Sequence, residues 1–157
     1  MTRRSLLASS IGLFALALGP KYRAKAAETF EVTHTEAEWR KLLSPQQFAV
    51  LRQESTEYPF TSPLNNEHRK GIFACAGCGL DLYSSDTKFD SHTGWPSFWD
   101  HLPNAIGKTR DVSLGMVRDA VHCHRCGGHL GHVFDDGPKP TGLRYCMNGV
   151  AMTFKAA

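Results

Sequence analysis

The chain has 157 residues, 41% hydrophobic and 21% charged, which fits one folded domain and excludes both wholesale disorder and two full-sized domains. Of its 18 Lys and Arg residues, five (Arg3, Arg4, Lys21, Arg23 and Lys25) fall within residues 1–26 beside no acidic residue, which leaves 13 basic against 15 acidic side chains elsewhere. The formal charge of +3 therefore belongs to the N-terminus, and residues 27–157 carry no cationic excess that would suit nucleic acid.

Residues 1–26 read as an export signal. The pair Arg3-Arg4 precedes an apolar run from Leu6 to Leu18. A bilayer-spanning helix needs about 20 apolar residues, so this run is too short to span but the right length for a signal-peptide core. Ala24-Lys25-Ala26 offers a small-x-small cleavage site before Ala27. The arginine pair, the dilution of the apolar run by Ala, Ser and Gly, and the basic residues near the cleavage site favour the twin-arginine route, which carries folded, cofactor-loaded proteins. The expected location is the periplasm; a retained membrane anchor is the alternative reading.

Residues 27–157 form one domain. Thr35 followed by Glu38 is a capping box that opens a short helix over 36–43. Ser44-Pro45-Gln46-Gln47 repeats the device, with Pro45 at the first helical position and a second helix running to Arg52. Phe48 and Leu51, three apart, face the core. Residues 58–66 hold two prolines and two asparagines and read as loop. From Gly71 onward short apolar pieces alternate with turn clusters at 72–74, 80–83, 112–114, 116–121, 130–134, 143–147 and 150–154. The pattern predicts a mainly β fold of two antiparallel sheets, a sandwich or barrel, with the two helices on its side.

Four of the five cysteines form two C-x-x-C pairs, Cys75/Cys78 and Cys123/Cys126, each followed by a glycine. Such knuckles aim two thiolates at one centre, and two of them make a tetrahedral sulfur site, the structural zinc arrangement. The 44 residues between the pairs are too many for a self-contained finger, so the metal is expected to staple two distant hairpins. Redox dithiols or disulfides are the competing readings. His122 and His124 flank Cys123 but have no place in a completed four-sulfur shell; they read as groups at the surface or behind the ligands.

Cys146 is the odd cysteine, within Leu143-Arg144-Tyr145-Cys146-Met147-Asn148. On a strand, Arg144, Cys146 and Asn148 share one face while Leu143, Tyr145 and Met147 take the other. Arg144 would lower the thiol pKa and Asn148 would offer a neutral donor. A buried structural cysteine is the alternative. His129 and His132, three apart between glycines and close to Asp135-Asp136, are candidates for acid–base work, with metal binding or plain surface placement as the alternatives. Trp95, between Gly94 and Pro96, can wall an apolar pocket or simply pack. His34, His68, His92 and His101 read as surface.

Together these pieces resemble the B-type methionine-R-sulfoxide reductases. The resemblance runs from Glu38-Trp39 to Phe154 and rests on both knuckles, Gly94-Trp95-Pro96-Ser97-Phe98, the run from His129-Leu130-Gly131-His132 to Gly137-Pro138, and Arg144-Tyr145-Cys146-Met147-Asn148. It implies a two-sheet antiparallel β fold, one structural zinc on Cys75, Cys78, Cys123 and Cys126, and Cys146 as nucleophile. It also implies Trp95 against the substrate methyl group, with His129, His132, Asp136, Arg144 and Asn148 around the sulfoxide. The implied activity is reduction of methionine-R-sulfoxide in proteins or peptides; the chain is expected to act as a monomer. An imidazolium of His129 or His132 would protonate the oxygen while Asp136 holds its charge, leaving Cys146 as sulfenic acid. Many relatives carry a recycling cysteine just before the Gly-Trp-Pro segment; here Thr93 stands there, so an external thiol reductant is expected to act on Cys146 directly. A zinc-stapled binding module without catalysis and a thiol peroxidase are the competing functional readings.

Overall fold

Both helices begin where their caps dictate. In this computed structural model, which describes residues 28–112, 115 and 117–157, α1 spans Glu36–Leu42 and α2 spans Pro45–Gln53. Thr35 Oγ1 accepts from the Glu38 amide while the Glu38 carboxylate accepts from the Thr35 amide at 2.8 Å, and Ser44 and Gln47 repeat the exchange. Trp39, Phe48, Val50 and Leu51 carry the buried face of the pair. The expected export signal lies outside the described residues. Among the described residues no helix is long and apolar enough to cross a membrane.

Among the described residues nine strands follow: β1 Gly71–Cys75, β2 Asp81–Ser84, β3 Lys88–Phe89, β4 Ser97–Phe98, β5 Ile106–Asp111, β6 Arg118–Cys123, β7 His129–Phe134, β8 Arg144–Met147 and β9 Met152–Ala156. They form a three-stranded sheet in the order β2-β1-β9 and a six-stranded sheet in the order β3-β4-β8-β7-β6-β5, antiparallel throughout. The expected two-sheet architecture is therefore present. The sheets meet through aromatic packing. Tyr83 of β2 stacks on Phe98 of β4 with ring centres 4.4 Å apart, and Phe73 of β1 meets the same Phe98 edge-on at 5.0 Å.

Several expectations shift. The strand expected at 112–114 is displaced: β5 lies just before it, Val112 is exposed, and Ser113 and Leu114 fall outside the described residues. β5 is a polar edge strand with one apolar residue, Ile106, so no alternation announced it. The piece expected at 116–121 is realised two residues later, as β6. Inside the expected loop, Pro63–Asn66 make a 3-10 turn capped by the Ser62 hydroxyl.

Candidate active site and metal centre

The knuckles close the ends of two strands in different sheets. Cys75 ends β1 and Cys123 ends β6. Gly79 and Gly127 take the left-handed conformation expected of them (φ 71° and 67°), and their amides return to the carbonyls of Cys75 and Cys123 at 2.8 and 2.9 Å. The four Sγ atoms lie within 4.8 Å of one another, with Cys75 to Cys126 at 3.7 Å and Cys78 to Cys123 at 3.5 Å. Sulfurs placed 2.3 Å from a tetrahedral zinc are separated by about 3.8 Å, so the donor set fits that ion. These contacts run between the knuckles, so one ion would tie both turns together. Bonds from Cys123 and Cys126 push the Cys78 thiol down, and the Cys123 thiol in turn pushes Cys75 up. Four sulfurs complete the shell and three of them are buried, the form of a structural zinc site and not a catalytic one. Of the two placements expected for these histidines, His124 takes the exposed one, while His122 is buried at 7% exposure, against Phe30 and within 3.3 Å of Glu28.

On β8 the period of two holds. Tyr145 and Met147 enter the core at 2% and 0% exposure, while Arg144 and Cys146 face away from it. Cys146 sits between Ser97 of β4 and His132 of β7 in the strand register. Trp95, Arg118, Gly131, His132, Phe134 and Asn148 help line a cavity of about 140 Å³ into which Cys146 opens. A side chain at Gly131 would overlap the Cys146 carbonyl, so glycine is what lets β7 approach β8 there.

Arg144 and Asp136 form a two-pronged ion pair, Nε to Oδ1 and Nη2 to Oδ2, both 2.8 Å. This corrects the expectation that Asp136 holds an imidazolium charge. The carboxylate beside His132 is instead Asp111, which nothing in the sequence marked: its Oδ2 is 2.9 Å from His132 Nε2 and 2.8 Å from Arg118 Nη2. The effect on Cys146 also differs from expectation. Burial pushes the thiol above its ordinary value; the Thr93 hydroxyl, the Arg144 charge and Ser97 pull it back only in part.

His129 and His132 are three apart on a strand, which alone would point them to opposite faces. The β6–β7 register slips between Val121 and His122, and the irregularity brings the two rings to 5.4 Å. His129 is buried, its Nε2 has no hydrogen-bond partner among the described residues, and burial followed by the charge of His132 depresses its pKa to about 4. Its ring is uncharged at neutral pH.

Asn148 clamps backbone. Its Oδ1 accepts from the Glu57 amide at 2.8 Å and its Nδ2 donates to Leu130 O at 3.0 Å. Glu57 in turn fixes Trp95, whose indole Nε1 donates to Glu57 O at 2.9 Å, while the Glu57 carboxylate accepts from the amides of Gly149 and Val150 at 2.7 and 3.3 Å. Nothing in the sequence marked Glu57. Thr93 Oγ1 lies 3.8 Å from Cys146 Sγ, where the resemblance placed a recycling thiol. Among the remaining histidines, His34, His68 and His92 are exposed, and His101 is half-buried against Tyr145.

A zinc-stapled β domain with a pocketed cysteine is the class that fold and site define. The sequence model of the SelR domain matches residues 43–156. Peptide methionine sulfoxide reductase MsrB of Agrobacterium fabrum is 51% identical over 126 residues, covering 80% of this chain and 93% of that protein. The proteins of the same name from Methanosarcina barkeri and Leptospira interrogans are 53% and 48% identical, over 79% and 80% of this chain and 88% and 97% of theirs. The chain belongs to the MsrB family.

Proposed function

We propose that this chain reduces the R epimer of methionine sulfoxide in peptides and proteins, with Cys146 as nucleophile. The observation that carries the reading is the Cys146 thiol opening into a small cavity walled by Trp95 and faced by His132. The indole takes the substrate methyl group, its position set by Glu57. Cys146, as thiolate, attacks the sulfoxide sulfur. His132 delivers a proton to the departing oxygen, and Asp111 holds the charge that the imidazolium carries. Arg144, paired with Asp136, supplies positive potential beside the sulfur. The sum of the step is thiol plus sulfoxide giving sulfenic acid plus methionine thioether.

Two external thiols then return the sulfenic acid to thiol, releasing water and a disulfide. Dithiols or a thioredoxin-like donor suit this role, because the remaining cysteines form the metal site. When bound, zinc supplies cross-linking of the two sheets and no chemistry of the substrate.

The N-terminal arginine pair and apolar run support action in the periplasm after twin-arginine export. Fusing residues 1–26 to a reporter that requires this route tests that part. For the activity, a thiol-coupled assay with resolved R and S sulfoxides of a blocked methionine is decisive. Turnover of the R epimer alone, abolished in Cys146→Ser, is the expected result. Turnover of peroxide but of neither sulfoxide would replace the reading with that of a peroxidase.

A further inference from the structure

Ser91, Thr93 and Ser97 bracket the turn that presents Trp95, and their hydroxyls form an unbroken chain to Cys146. Ser91 Oγ is 2.8 Å from Thr93 Oγ1 and 2.7 Å from Ser97 Oγ, and Thr93 Oγ1 is 3.8 Å from Cys146 Sγ. Ser97 is fully buried, pairs with Cys146 in the β4–β8 register, and donates to the Trp95 carbonyl at 3.2 Å. Each hydroxyl owns a single proton, so the direction of one bond sets the others. With Ser97 donating to Trp95 O, Ser91 donates to Ser97, Thr93 donates to Ser91, and the Cys146 thiol donates to Thr93. Rotating the three O–H bonds reverses the order. Ser97 then donates to Ser91, Ser91 to Thr93, and Thr93 to the sulfur. No heavy atom moves and no proton is gained or lost along the chain.

We propose that Thr93 is a further catalytic residue, its hydroxyl donating to the Cys146 sulfur when that sulfur is a thiolate or carries oxygen, with Ser91 and Ser97 as positioning residues. The proposal rests on the reading of Cys146 as nucleophile. A hydroxyl cannot resolve a sulfenic acid by forming a disulfide, so at this position it acts by hydrogen bonding. Hydrogen bonds to an ionised partner are about twice as strong as neutral ones, so the reversed order favours the thiolate. The charged and titratable groups that share the sulfur's surroundings are Arg144 on β8 with its partner Asp136, His132 on β7 with its partner Asp111, and Arg118 across the cavity. Burial raises this thiol, and the Thr93 hydroxyl is the largest single hydrogen bond that opposes it, alongside the charge and hydrogen bond of Arg144 and the Ser97 hydroxyl. The same bond then holds the sulfenic acid while it awaits an external thiol.

The test is the pH profile of Cys146 alkylation by iodoacetamide in the zinc-loaded protein, without sulfoxide, read by mass spectrometry of the Cys146 peptide. Thr93→Val keeps the shape and removes the donor. Its apparent thiol pKa should rise, and alkylation at pH 7 should slow about tenfold. Thr93→Ser should restore the wild-type profile, and Ser91→Ala should fall between. An unchanged profile in Thr93→Val, or Thr93→Ser as impaired as Thr93→Val, overturns the proposal. Should Thr93→Val fail to fold and hold zinc, Ser91→Ala decides alone: a wild-type profile there overturns the relay. Because no sulfoxide is present, these outcomes stand apart from the substrate reading, which the epimer assay tests separately.

Discussion

Asp111 at the end of β5 and His132 on β7 meet across β6, carboxylate oxygen to ring nitrogen, at 2.9 Å, both side chains less than one-fifth exposed. A carboxylate placed there fixes the ring and offsets the charge it gains on protonation. Asp111→Asn keeps the shape but removes the charge. We expect kcat to fall about 10- to 100-fold, as for a lost charge-assisted bond of about 1.5–3 kcal/mol, with KM much less changed. Steady-state kinetics on the R-sulfoxide check this, and an equal loss in Asp136→Asn with Asp111→Asn unaffected would return the role to Asp136.

Changing Cys126 to Ser removes one of four sulfurs shared between two sheets. Structural zinc contributes on the order of 10 kcal/mol of apparent binding free energy in small domains, so the variant should lose both the ion and a large part of its thermal stability. Metal analysis and a thermal melt of the same sample decide it. Folded, active wild-type protein without zinc would refute the assignment.

His129 is buried neutral, and the sign of its pH effect follows. Its folded pKa of about 4 lies below the ordinary 6.5, so the unfolded chain binds the proton more tightly. The stability that the neutral ring contributes is complete above pH 6.5 and is lost as pH falls toward 4. Within that window each pH unit costs up to about 1.4 kcal/mol. His129→Gln should flatten the fall in melting temperature between these limits. Parallel curves for wild type and variant would show that another group sets the acid limb.

Thr93→Cys offers the converse of the hydroxyl chain. With Thr93 Oγ1 already 3.8 Å from Cys146 Sγ, a thiol there is placed to attack the sulfenic acid. One equivalent of sulfoxide without reductant should give a Cys146 disulfide to the new thiol, seen as a mass loss of two hydrogens and the cross-linked peptide. Persistence of a trappable sulfenic acid in that variant would show that the two positions do not meet during turnover.

Much of this arrangement was legible in the chain. Thr35/Glu38 and Ser44/Gln47 announced both helix starts because capping is local chemistry, and the knuckle glycines announced their turns for the same reason. Arg144, Tyr145, Cys146 and Met147 announced their faces through a simple alternation. What stayed hidden depends on distant strands. β3 and β4 have two residues each, too short for any period. Asp111 ends a polar edge strand, and its meeting with His132 across β6 is a matter of register between non-adjacent strands. The shared side of His129 and His132 arises from an irregularity that a regular period cannot express. Asp136 stood nearer in sequence to the histidines, which made it the natural but mistaken partner.

The segment from Glu54 to Thr61, which contributes Thr56 to the cavity wall, has neither helix nor strand. Ser55, Thr56, Tyr58 and Phe60 are exposed; the segment is held by polar bonds from Glu57 to Trp95, Asn148, Gly149 and Val150, and from the Phe60 amide to Gly94 O at 2.7 Å. Such a strap can lift while the sheets and the metal site stay intact, because little apolar surface is exposed when it opens. Its amides should exchange with solvent long before those of β7 and β8, and mild urea should silence the enzyme before it melts the fold. The stretch of chain that fixes the Trp95 indole is thus held by polar bonds alone and can open without the sheets.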